Sequence, residues 1–328
     1  MASINLIARD IGFGLSRDLR LLAAALAGRG HGVNISAIRR GKLRKLADPW
    51  LLRARSAARR LRGGGAIEFD VNLMLEEIRS DYLPLARRNV LLPNPEWFRP
   101  QDRQALGAID CVFAKTRHAE SIFAALGCAV AFIGFTAQDR YDDGIARERA
   151  FFHLAGRSRN KNTEPLLQLW RRHPHWPRLT VVQDPRSAQP AAPVLNIDHR
   201  IDHLDDAELR RLQNQHRFHL CPSQTEGFGH YLVEAMSVGA VALTLDAAPM
   251  NELVSADRGM LVPVAHTATQ SLATTNYFDD ADMEHAIERI IGLGDDECER
   301  LGNAARAWFL DNDRVFPDRL DAAIASLG

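Results

Sequence analysis

The chain has 328 residues, enough for two domains of ordinary size, and its 41 Lys and Arg balance its 41 Asp and Glu. Its 46% hydrophobic and 25% charged residues are typical of a globular protein. A membrane-spanning helix is excluded by the lack of any apolar stretch of about 18 residues. The N-terminus lacks the basic start and apolar run of a signal peptide. Four scattered cysteines without CxxC spacing indicate reduced thiols, so we expect a cytoplasmic protein.

The charge is unevenly distributed along the chain. The first hundred residues contain 18 Lys and Arg against 9 Asp and Glu, and the excess centres on Arg39 to Arg62. This segment fits a solvated face, a contact for an anionic membrane surface or a lipid-linked acceptor, or a nucleic-acid site. Aromatic residues for base stacking are nearly absent from it, so we expect no nucleic acid as a partner. A peripheral position on the inner face of the membrane is compatible with this pattern.

The first part of the chain predicts an α/β domain. An apolar run at 4–8 reads as a buried strand, followed by a turn at Gly12-Phe13-Gly14 and a helix from about 17 to 27 capped by Ser16. Another helix, capped by Thr116, is predicted through Ala125. Further strands are predicted at 33–38, 90–92, 111–114 and 130–133. Alternating strands and helices favour a parallel sheet with right-handed crossovers.

A second strand-helix series follows a polar, loop-like segment at 134–144, which we interpret as a linker. Strands are predicted at 151–155, 179–183, 194–197, 218–221 and 241–245, and helices at 162–172, 205–214, 229–238 and 318–327. We therefore predict an N-terminal domain at 1–140, a C-terminal domain at 145–312 and a final helical segment at 313–328. Ligands of such sheets bind beyond the carboxyl ends of the strands.

The strongest chemical signal is the segment CPSQTEGFGHYLVEAM at 221–236, read as a strand, a tight loop and a helix. Gly227 and Gly229 would allow positive φ and a close approach of a ligand to the backbone. The free N–H groups of the helix that starts near Gly229 predict a phosphate site. The carboxylates of Glu226 and Glu234 can each accept two hydrogen bonds, which suits the vicinal hydroxyls of a sugar.

This segment resembles the signature of the retaining GT-B glycosyltransferases of glycosyltransferase family 4, in which two glutamates are separated by seven residues. Gly239-Ala240-Val241 and Asn251 to Val254 are similar to two further segments of that family, with Ala240 in place of the usual Pro. The resemblance implies that Glu226 contacts the donor hexose and that Glu234 binds the nucleotide ribose. It also implies that the donor is lined by the loop residues Thr225, Gly227, Phe228 and Gly229.

A second segment, GRSRNKN at 156–162, is similar to the family's G-R-x-x-x-x-K-G motif, shortened by one residue and with Asn162 for Gly. The resemblance implies that Arg157 and Lys161 bind the donor diphosphate, where cations stabilise the charge that grows on the leaving nucleotide. Arg159 is the alternative to Arg157, which we favour. Gly12 and Gly14 stand where a glycine loop of the family faces the donor.

The resemblance implies a GT-B fold, with two Rossmann-like domains whose parallel sheets face each other across a cleft. The implied reaction transfers a hexose from a nucleoside diphosphate sugar, of the UDP or GDP type, to a glycan or lipid-linked glycan. Retention of configuration, no metal and no cofactor are expected, and the last helix is expected to cross back to the N-terminal domain. Asn94 and Glu96, which follow a strand end, are predicted acceptor contacts. A non-catalytic nucleotide-sugar or glycan-binding subunit is the alternative.

Simpler interpretations accompany each motif. Glu226 and Glu234 would also suit a helix entry or the two carboxyls of a glycoside hydrolase. Arg157 and Lys161 would suit a solvated loop, and Gly12-Phe13-Gly14 a tight turn. Dinucleotide binding at that turn is disfavoured, because an Arg replaces the third glycine. The histidine pairs at 173/175, 199/203 and 216/219 lack the Cys or carboxylate cluster that a metal site needs. The D-x-D segments at 280–282 and 311–313 lie in the acidic C-terminal part, away from the donor motifs, and read as solvated helix caps.

Overall fold

The computed structural model describes residues 1–9, 14–38, 67–189 and 192–328. Within these ranges the chain divides into two compact units. Unit 1 comprises Met1–Phe135 together with Arg314–Gly328, and unit 2 comprises Thr136–Asp313. Each unit contains a six-stranded parallel sheet. The predicted pair of Rossmann-like α/β domains is therefore confirmed.

Unit 1 has the sheet order β2-β1-β3-β4-β5-β6, so the chain builds outward in two directions from the β1/β3 pair. Its strands and helices are β1 (Ser3–Arg9), α1 (Gly14–Gly28), β2 (Gly32–Ile38), β3 (Phe69–Leu75), β4 (Ala86–Leu92), α2 (Pro100–Ala105), β5 (Cys111–Ala114), α3 (Arg117–Ala125) and β6 (Val130–Phe132). Short 3-10 turns lie at Leu83–Leu85, Pro95–Trp97 and Leu106–Ala108.

The elements of unit 1 follow from the burial of their apolar positions. Helix α1 buries Leu19, Leu22 and Leu26, which lie along one face at the spacing expected of an amphipathic helix. Helix α3 begins at the predicted cap, where Thr116 Oγ1 accepts a hydrogen bond from the backbone N–H of Ala119 at 3.1 Å. The C-terminal residues belong to this unit as well, where Asp321 Oδ1 lies 2.8 Å from His31 Nε2.

A row of asparagines crosses four neighbouring strands of unit 1 in register. Asn5 on β1 lies opposite Asn34 on β2 and Asn72 on β3, and Asn72 lies opposite Asn89 on β4. The side-chain amides donate in one direction along the row, from Asn34 to Asn5 at 2.7 Å, from Asn5 to Asn72 at 3.1 Å and from Asn72 to Asn89 at 2.9 Å. Asn5 and Asn72 are fully buried, so these bonds satisfy amides that water does not reach.

Unit 2 has the sheet order β12-β11-β10-β7-β8-β9, with the change of direction between β7 and β10. An antiparallel hairpin, β13–β14, is separate from this sheet. The elements are β7 (Glu148–Gly156), α4 (Thr163–Arg172), β8 (Leu179–Gln183), β9 (Ile197–Ile201), α5 (Asp206–Gln215), β10 (His216–Leu220), α6 (His230–Ser237), β11 (Val241–Leu245), α7 (Met250–Leu253), β12 (Gly259–Val262), β13 (His266–Gln270), β14 (Ala273–Tyr277), α8 (Asp280–Ile291) and α9 (Asp295–Ala325).

The structure corrects two predicted elements of the second half. The strand expected at 194–197 is wrong, because these residues turn before β9: the N–H of Ile197 bonds to the carbonyl of Val194 at 3.1 Å. Asn196 holds the turn by donating to the backbone carbonyl of His173 at 2.9 Å. The helix expected at 318–327 is only the last part of α9, which has 31 residues. Across the described ranges, no helix combines the length and the apolar character needed to span a bilayer.

Candidate functional site

Two loops of unit 2 follow neighbouring strands at the point where the sheet order changes direction. Strand β7 pairs in parallel with β10, so the loops at 157–162 and 221–229 leave the same edge of the sheet side by side. Crossovers on either side of such a point leave in opposite directions, which opens a crevice at the carboxyl ends of the strands. The two motifs identified in the sequence therefore belong to adjacent loops.

Hydrogen bonds hold these two loops together. The N–H of Gln224 donates to the carbonyl of Asn160 at 2.7 Å. The side-chain amide of Asn162 donates to the carbonyl of Pro222 at 2.9 Å, and its oxygen accepts from Gln224 Nε2 at 2.9 Å. Because both main chains and both side chains take part, the loops form one connected surface.

Asn162 stands where the G-R-x-x-x-x-K-G motif that this loop resembles has its last Gly. It precedes α4 in the left-handed conformation, with φ 51° and ψ 32°. Glycine adopts this region without penalty, and asparagine is one of the few other residues that adopt it readily. The substitution therefore keeps the backbone conformation and adds the two side-chain bonds to the opposite loop.

Lys161 and Glu226 are connected through Ser223 of the second loop and Tyr231 of α6, the helix that follows it. Lys161 Nζ lies 3.4 Å from the centroid of the Tyr231 ring and donates to the carbonyl of Leu154 at 3.2 Å. The Tyr231 hydroxyl is hydrogen-bonded to Ser223 Oγ, and Ser223 Oγ donates to Glu226 Oε1 at 2.5 Å. A carboxylate only accepts, so the serine proton points to Glu226 and the tyrosine donates to the serine.

Burial keeps Tyr231 in the protonated form that donates this hydrogen bond to Ser223. Its pKa is raised well above the ordinary value, mainly because burial disfavours the phenolate. The hydroxyl therefore stays protonated. Glu226 itself is half-buried. The arrangement places an ammonium group and an oriented carboxylate on one surface, which is suited to a ligand that carries both phosphate and hydroxyl groups.

Glu234 lies deeper than the sequence suggested. It exposes only 1% of its surface and accepts a hydrogen bond from Gln213 Nε2 at 2.8 Å. Gln213 Oε1 accepts in turn from Arg140 Nε at 2.8 Å, and Arg140 pairs with Asp206 at 2.8 Å. This relay compensates a buried carboxylate with a polarised amide and a guanidinium. A ligand would reach the carboxylate only if surrounding side chains move.

Arg157 has a different neighbour from Lys161. Its side chain is 39% exposed, and Nε lies 3.5 Å from Oδ2 of Asp184, the residue that follows β8. Arg159, the alternative cation, is exposed. The structure thus connects Lys161 to Glu226 through Tyr231 and Ser223, and gives Arg157 an ion pair on the β8 side of the loop.

In the glycine loop, Gly229 is required both by its backbone conformation and by the close packing of its neighbours. Gly229 has φ 103°, and a Cβ placed on it would lie 2.9 Å from Leu232 Cδ1 and 3.1 Å from Leu253 Cδ1. The predicted positive φ is therefore confirmed for Gly229 but is wrong for Gly227, which is not among the residues in that region. Phe228 and Thr225 are buried, and within the described residues the Thr225 hydroxyl has no hydrogen-bond partner.

The hairpin β13–β14 contacts both loops and was not predicted. Asn276 bonds to the carbonyl of Gln224 through its N–H at 2.8 Å and through its side-chain amide at 2.9 Å. Gln270 Oε1 accepts from Asn160 Nδ2 at 3.1 Å. The only sequence signal was a run of β-branched threonines on either side of Ser271, which adopts φ 58° at the turn.

His153 connects β7 to the end of β10 and to the first residue of α4. Its Nδ1 lies 2.7 Å from the carbonyl oxygen of Leu220, and its Nε2 lies 2.9 Å from Thr163 Oγ1. Burial lowers its pKa to about 4, so the ring is neutral near pH 7. Because a carbonyl only accepts, Nδ1 carries the proton and Nε2 accepts from the threonine hydroxyl.

The remaining predicted site residues lie in unit 1 or outside the described residues. Asn94 donates to Glu76 Oε1 at 2.7 Å and accepts from Lys115 Nζ at 3.0 Å. Glu96 is 6% exposed in the 3-10 turn Pro95–Trp97. Gly14 is the first residue of α1. Gly12 and the basic segment Arg39 to Arg62 lie outside the described residues.

In the described part of the chain, no group of three or more His, Cys, Asp or Glu side chains could hold a metal ion. The histidines of one pair have other partners. His216 Nε2 lies 2.8 Å from Thr180 Oγ1, and His219 Nε2 lies 2.9 Å from the carbonyl of Gln213. Burial lowers the pKa of His219 to about 3.

Residues 199–308 match the family model described as glycosyl transferases group 1. The match begins in β9, ends in α9 and includes both Glu226 and Glu234. It does not reach the first loop, with Arg157 and Lys161, or unit 1. No curated protein sequence shows a significant match to the chain.

Several solved structures share the fold over nearly the whole chain. Sucrose-phosphate synthase from Thermosynechococcus elongatus is 14% identical, with 100% of this chain and 99% of that one covered and a TM-score of 0.71. Anabaena HepE in complex with UDP-glucose is 14% identical, with 99% and 100% covered and a TM-score of 0.71. A glycosyltransferase from Rickettsia africae is 12% identical, with 99% and 98% covered and a TM-score of 0.67. These similarities establish the GT-B fold.

Proposed function

We propose that this chain is a glycosyltransferase that takes a hexose from a nucleoside diphosphate sugar and transfers it to a hydroxyl of a glycan or lipid-linked glycan. The observation that carries the proposal is the connection between Lys161 and Glu226 across two adjacent loops at the change of direction of the unit 2 sheet. The match of residues 199–308 to glycosyl transferases group 1 supports the same activity.

Each group has a proposed role that its chemistry supports. Lys161 would bind the diphosphate and stabilise the charge that grows on the leaving nucleotide. Glu226, held by Ser223 at 2.5 Å, would accept hydrogen bonds from the hexose hydroxyls. The N–H groups at the start of α6, after Gly229, would face the phosphates. Arg157 would assist after exchanging its partner Asp184 for the ligand.

Glu234 is proposed to bind the nucleotide ribose, as the resemblance to glycosyltransferase family 4 implies. Glu234 is 1% exposed and bonded to Gln213, so we propose that this contact forms with a rearrangement on binding. HepE has been solved with UDP-glucose and with UDP, which makes UDP-sugars the first donors to test on this chain.

Several finer assignments, some from the resemblance and some from the cysteines and the charge pattern of the sequence, are part of the proposal. They are retention of configuration, activity without a metal or cofactor, acceptor contacts in unit 1, a cytoplasmic location, no nucleic-acid partner, and a peripheral membrane contact through the basic segment Arg39 to Arg62. Proton NMR of the product fixes the anomeric outcome, and activity after treatment with EDTA tests the requirement for a metal.

The proposal is tested by incubating the purified full chain with UDP-, GDP- and ADP-sugars and following release of the nucleoside diphosphate. We expect one donor class to be hydrolysed or transferred, and Glu226→Gln to lose at least about a hundredfold in turnover. Glu297→Gln, an exposed carboxylate paired with Arg300 at 2.8 Å, is the matched control. Nucleotide binding without any turnover would instead support a non-catalytic subunit, and neither binding nor turnover would refute the proposal.

A further inference from the structure

Unit 1 contains a second polar cluster, built at the equivalent edge of its own sheet. Glu76, Asn94 and Lys115 follow β3, β4 and β5, which are neighbours in the sheet, and Asp18 reaches the same place from α1. Strand β3 lies at the change of direction of this sheet, beside β1. Open α/β sheets bind their ligands beyond the carboxyl ends of the strands at this point.

The four side chains form one continuous network. Lys115 Nζ donates to Asp18 Oδ2 at 2.6 Å and to Asn94 Oδ1 at 3.0 Å. The Asn94 amide then donates to Glu76 Oε1 at 2.7 Å. Lys115 and Asp18 expose only 4% and 3% of their surfaces, so their charges neutralise each other inside the unit. Because the Lys115 ammonium only donates, the oxygen of the Asn94 amide faces Lys115 and its nitrogen faces Glu76. This orientation holds Oε1 of Glu76 in place.

Glu76 differs from the other members of the network in three ways. Its backbone has φ 66°, a conformation that costs a residue of this size free energy and occurs most often where a function requires it. Its side chain is half-buried, and burial raises the pKa of its carboxyl against the opposing effect of Lys115. Within the described residues, its second oxygen, Oε2, has no hydrogen-bond partner.

The Asn94 amide needs one acceptor, which Glu76 Oε1 supplies, so the internal network does not explain why Glu76 has a left-handed backbone and a second carboxylate oxygen outside the network. A ligand with hydroxyl groups does explain it, because Oε2 can accept a hydroxyl proton while Oε1 is held by Asn94. Trp97 lies in the 3-10 turn Pro95–Trp97, close in sequence to Asn94, and is 58% exposed. An exposed indole near fixed polar groups is suited to a ligand with both apolar and polar faces, such as a pyranose.

We propose that Glu76 Oε2 binds a hydroxyl of a carbohydrate acceptor, with Trp97 against the apolar face of that sugar ring. This inference rests on the proposed function, because it assigns the acceptor side of the same transfer. Asn94 is a positioning residue that orients Glu76, and the Lys115–Asp18 pair fixes Asn94. The acceptor contact at Glu96 stays a prediction, and this inference adds Glu76, whose Oε2 can accept a hydroxyl of the ligand.

The test measures donor and acceptor sides separately on the full chain. Saturation-transfer NMR with the methyl glycosides of glucose, galactose and mannose, in the presence of saturating UDP, reports the acceptor side. Release of UDP from UDP-glucose in the absence of acceptor, and calorimetric binding of UDP, report the donor side. The variants are Glu76→Gln, which keeps the shape of the side chain, and Trp97→Ala, which changes an exposed residue. Glu77→Gln is the matched control, since its carboxylate faces Arg99 at 3.2 Å.

We expect wild type and Glu77→Gln to bind at least one methyl hexoside, and Glu76→Gln to bind it at least about tenfold more weakly with UDP binding and UDP release unchanged. If Glu76→Gln does not fold, Trp97→Ala decides by the same criterion. The inference is overturned if no methyl hexoside binds to wild type, or if the deciding variant binds it normally. Failure of the proposed function is distinguishable, because wild type would then neither bind UDP nor release it from UDP-glucose.

Discussion

Lys161 lies in the loop 157–162 and Tyr231 in the first turn of α6, and Nζ of the lysine lies 3.4 Å from the centroid of the tyrosine ring. The negative face of an aromatic ring attracts a cation without neutralising its charge. The tyrosine hydroxyl interacts with other groups: it donates to Ser223, and Ser223 donates to the carboxylate of Glu226. One side chain thus positions the two charged groups on which the proposed donor site depends.

The first prediction concerns the charge of Lys161. Lys161→Met keeps most of the side-chain volume over the ring but removes the ammonium group. We expect donor turnover to fall by about a hundredfold and UDP affinity by less than about tenfold, because the leaving group gains charge mainly in the transition state. Steady-state kinetics and calorimetry of UDP binding measure the two effects.

Arg159→Met is the control for this variant, since Arg159 is an exposed cation of the same loop. It should keep both turnover and affinity. A Lys161→Met enzyme with wild-type turnover and weakened UDP binding would contradict the leaving-group role and leave only a binding role.

A second prediction uses the left-handed conformation of Asn162. Asn162→Gly removes the bonds to Pro222 and Gln224 but tolerates φ 51°, so we expect it to cost about 1 kcal/mol of the free energy of unfolding. Asn162→Val loses the same bonds and also strains the backbone, which should cost about 1–2 kcal/mol more. Urea denaturation of the two variants measures the difference, and equal stabilities would mean that the loop relaxes to another conformation.

A third prediction separates strain from crowding at Gly229. Gly127 also has positive φ, 82°, but a Cβ there would meet nothing within 4 Å. We expect Gly127→Ala to cost about 1–2 kcal/mol of stability through the conformation alone. Gly229→Ala should cost more, because the new methyl group would also press on Leu232 and Leu253.

Thermal and urea unfolding of both variants give this comparison. Since Gly229 precedes α6, its substitution should also weaken UDP binding, whereas the Gly127 variant should bind UDP normally. Equal losses of stability at the two positions would show that the neighbouring leucines adapt without cost.

A fourth prediction is the dependence of stability on pH through His153. Its pKa is about 4 in the folded chain and near the ordinary value of about 6.5 when unfolded, so the unfolded state binds more protons between these values. The contribution of the neutral ring is therefore present above pH 6.5 and is lost as the pH falls towards 4. Its maximal slope is about 1.4 kcal/mol per pH unit.

His153→Gln should remove this contribution, so the difference between its stability curve and that of wild type should change with pH between about 4 and 6.5. The exposed His175, replaced by Gln, serves as the control and should leave the curve unchanged. The free energy of unfolding, measured in urea from pH 4 to 7, decides; parallel curves for His153→Gln and wild type would mean that the ring does not stay neutral.

Much of the fold could be predicted from local patterns. Buried apolar runs marked most sheet strands, and the cap at Thr116 marked the start of α3. Strand β3 was missed because its sequence, FDVNLML, breaks its apolar run with polar residues, of which Asn72 belongs to the asparagine row. The two loops of unit 2 were identified because their residues lie close together in the sequence.

The parts of the site that were missed depend on contacts between distant residues. Gln213 and Glu234 are 21 positions apart, and Arg140 is 73 positions before Gln213. No spacing rule connects such residues before the fold does. Glu76 carried no signal either, since one acid after a strand is ordinary until its φ and its partner Asn94 are known. Ser223 and Tyr231 lay inside the identified motif, and only their geometry was missing.

The asparagine row in unit 1 has a consequence for how the chain reaches its native pairing. The four amides satisfy one another only when all three strand pairs are aligned as they are. A shift of a single residue between β1 and β3 would turn Asn5 towards the opposite face and leave buried donors and acceptors without partners. Parallel strands joined by long crossovers have few local cues of their own. The row therefore makes misaligned strand pairings less stable than the native one, including pairings in which the apolar side chains would still be buried.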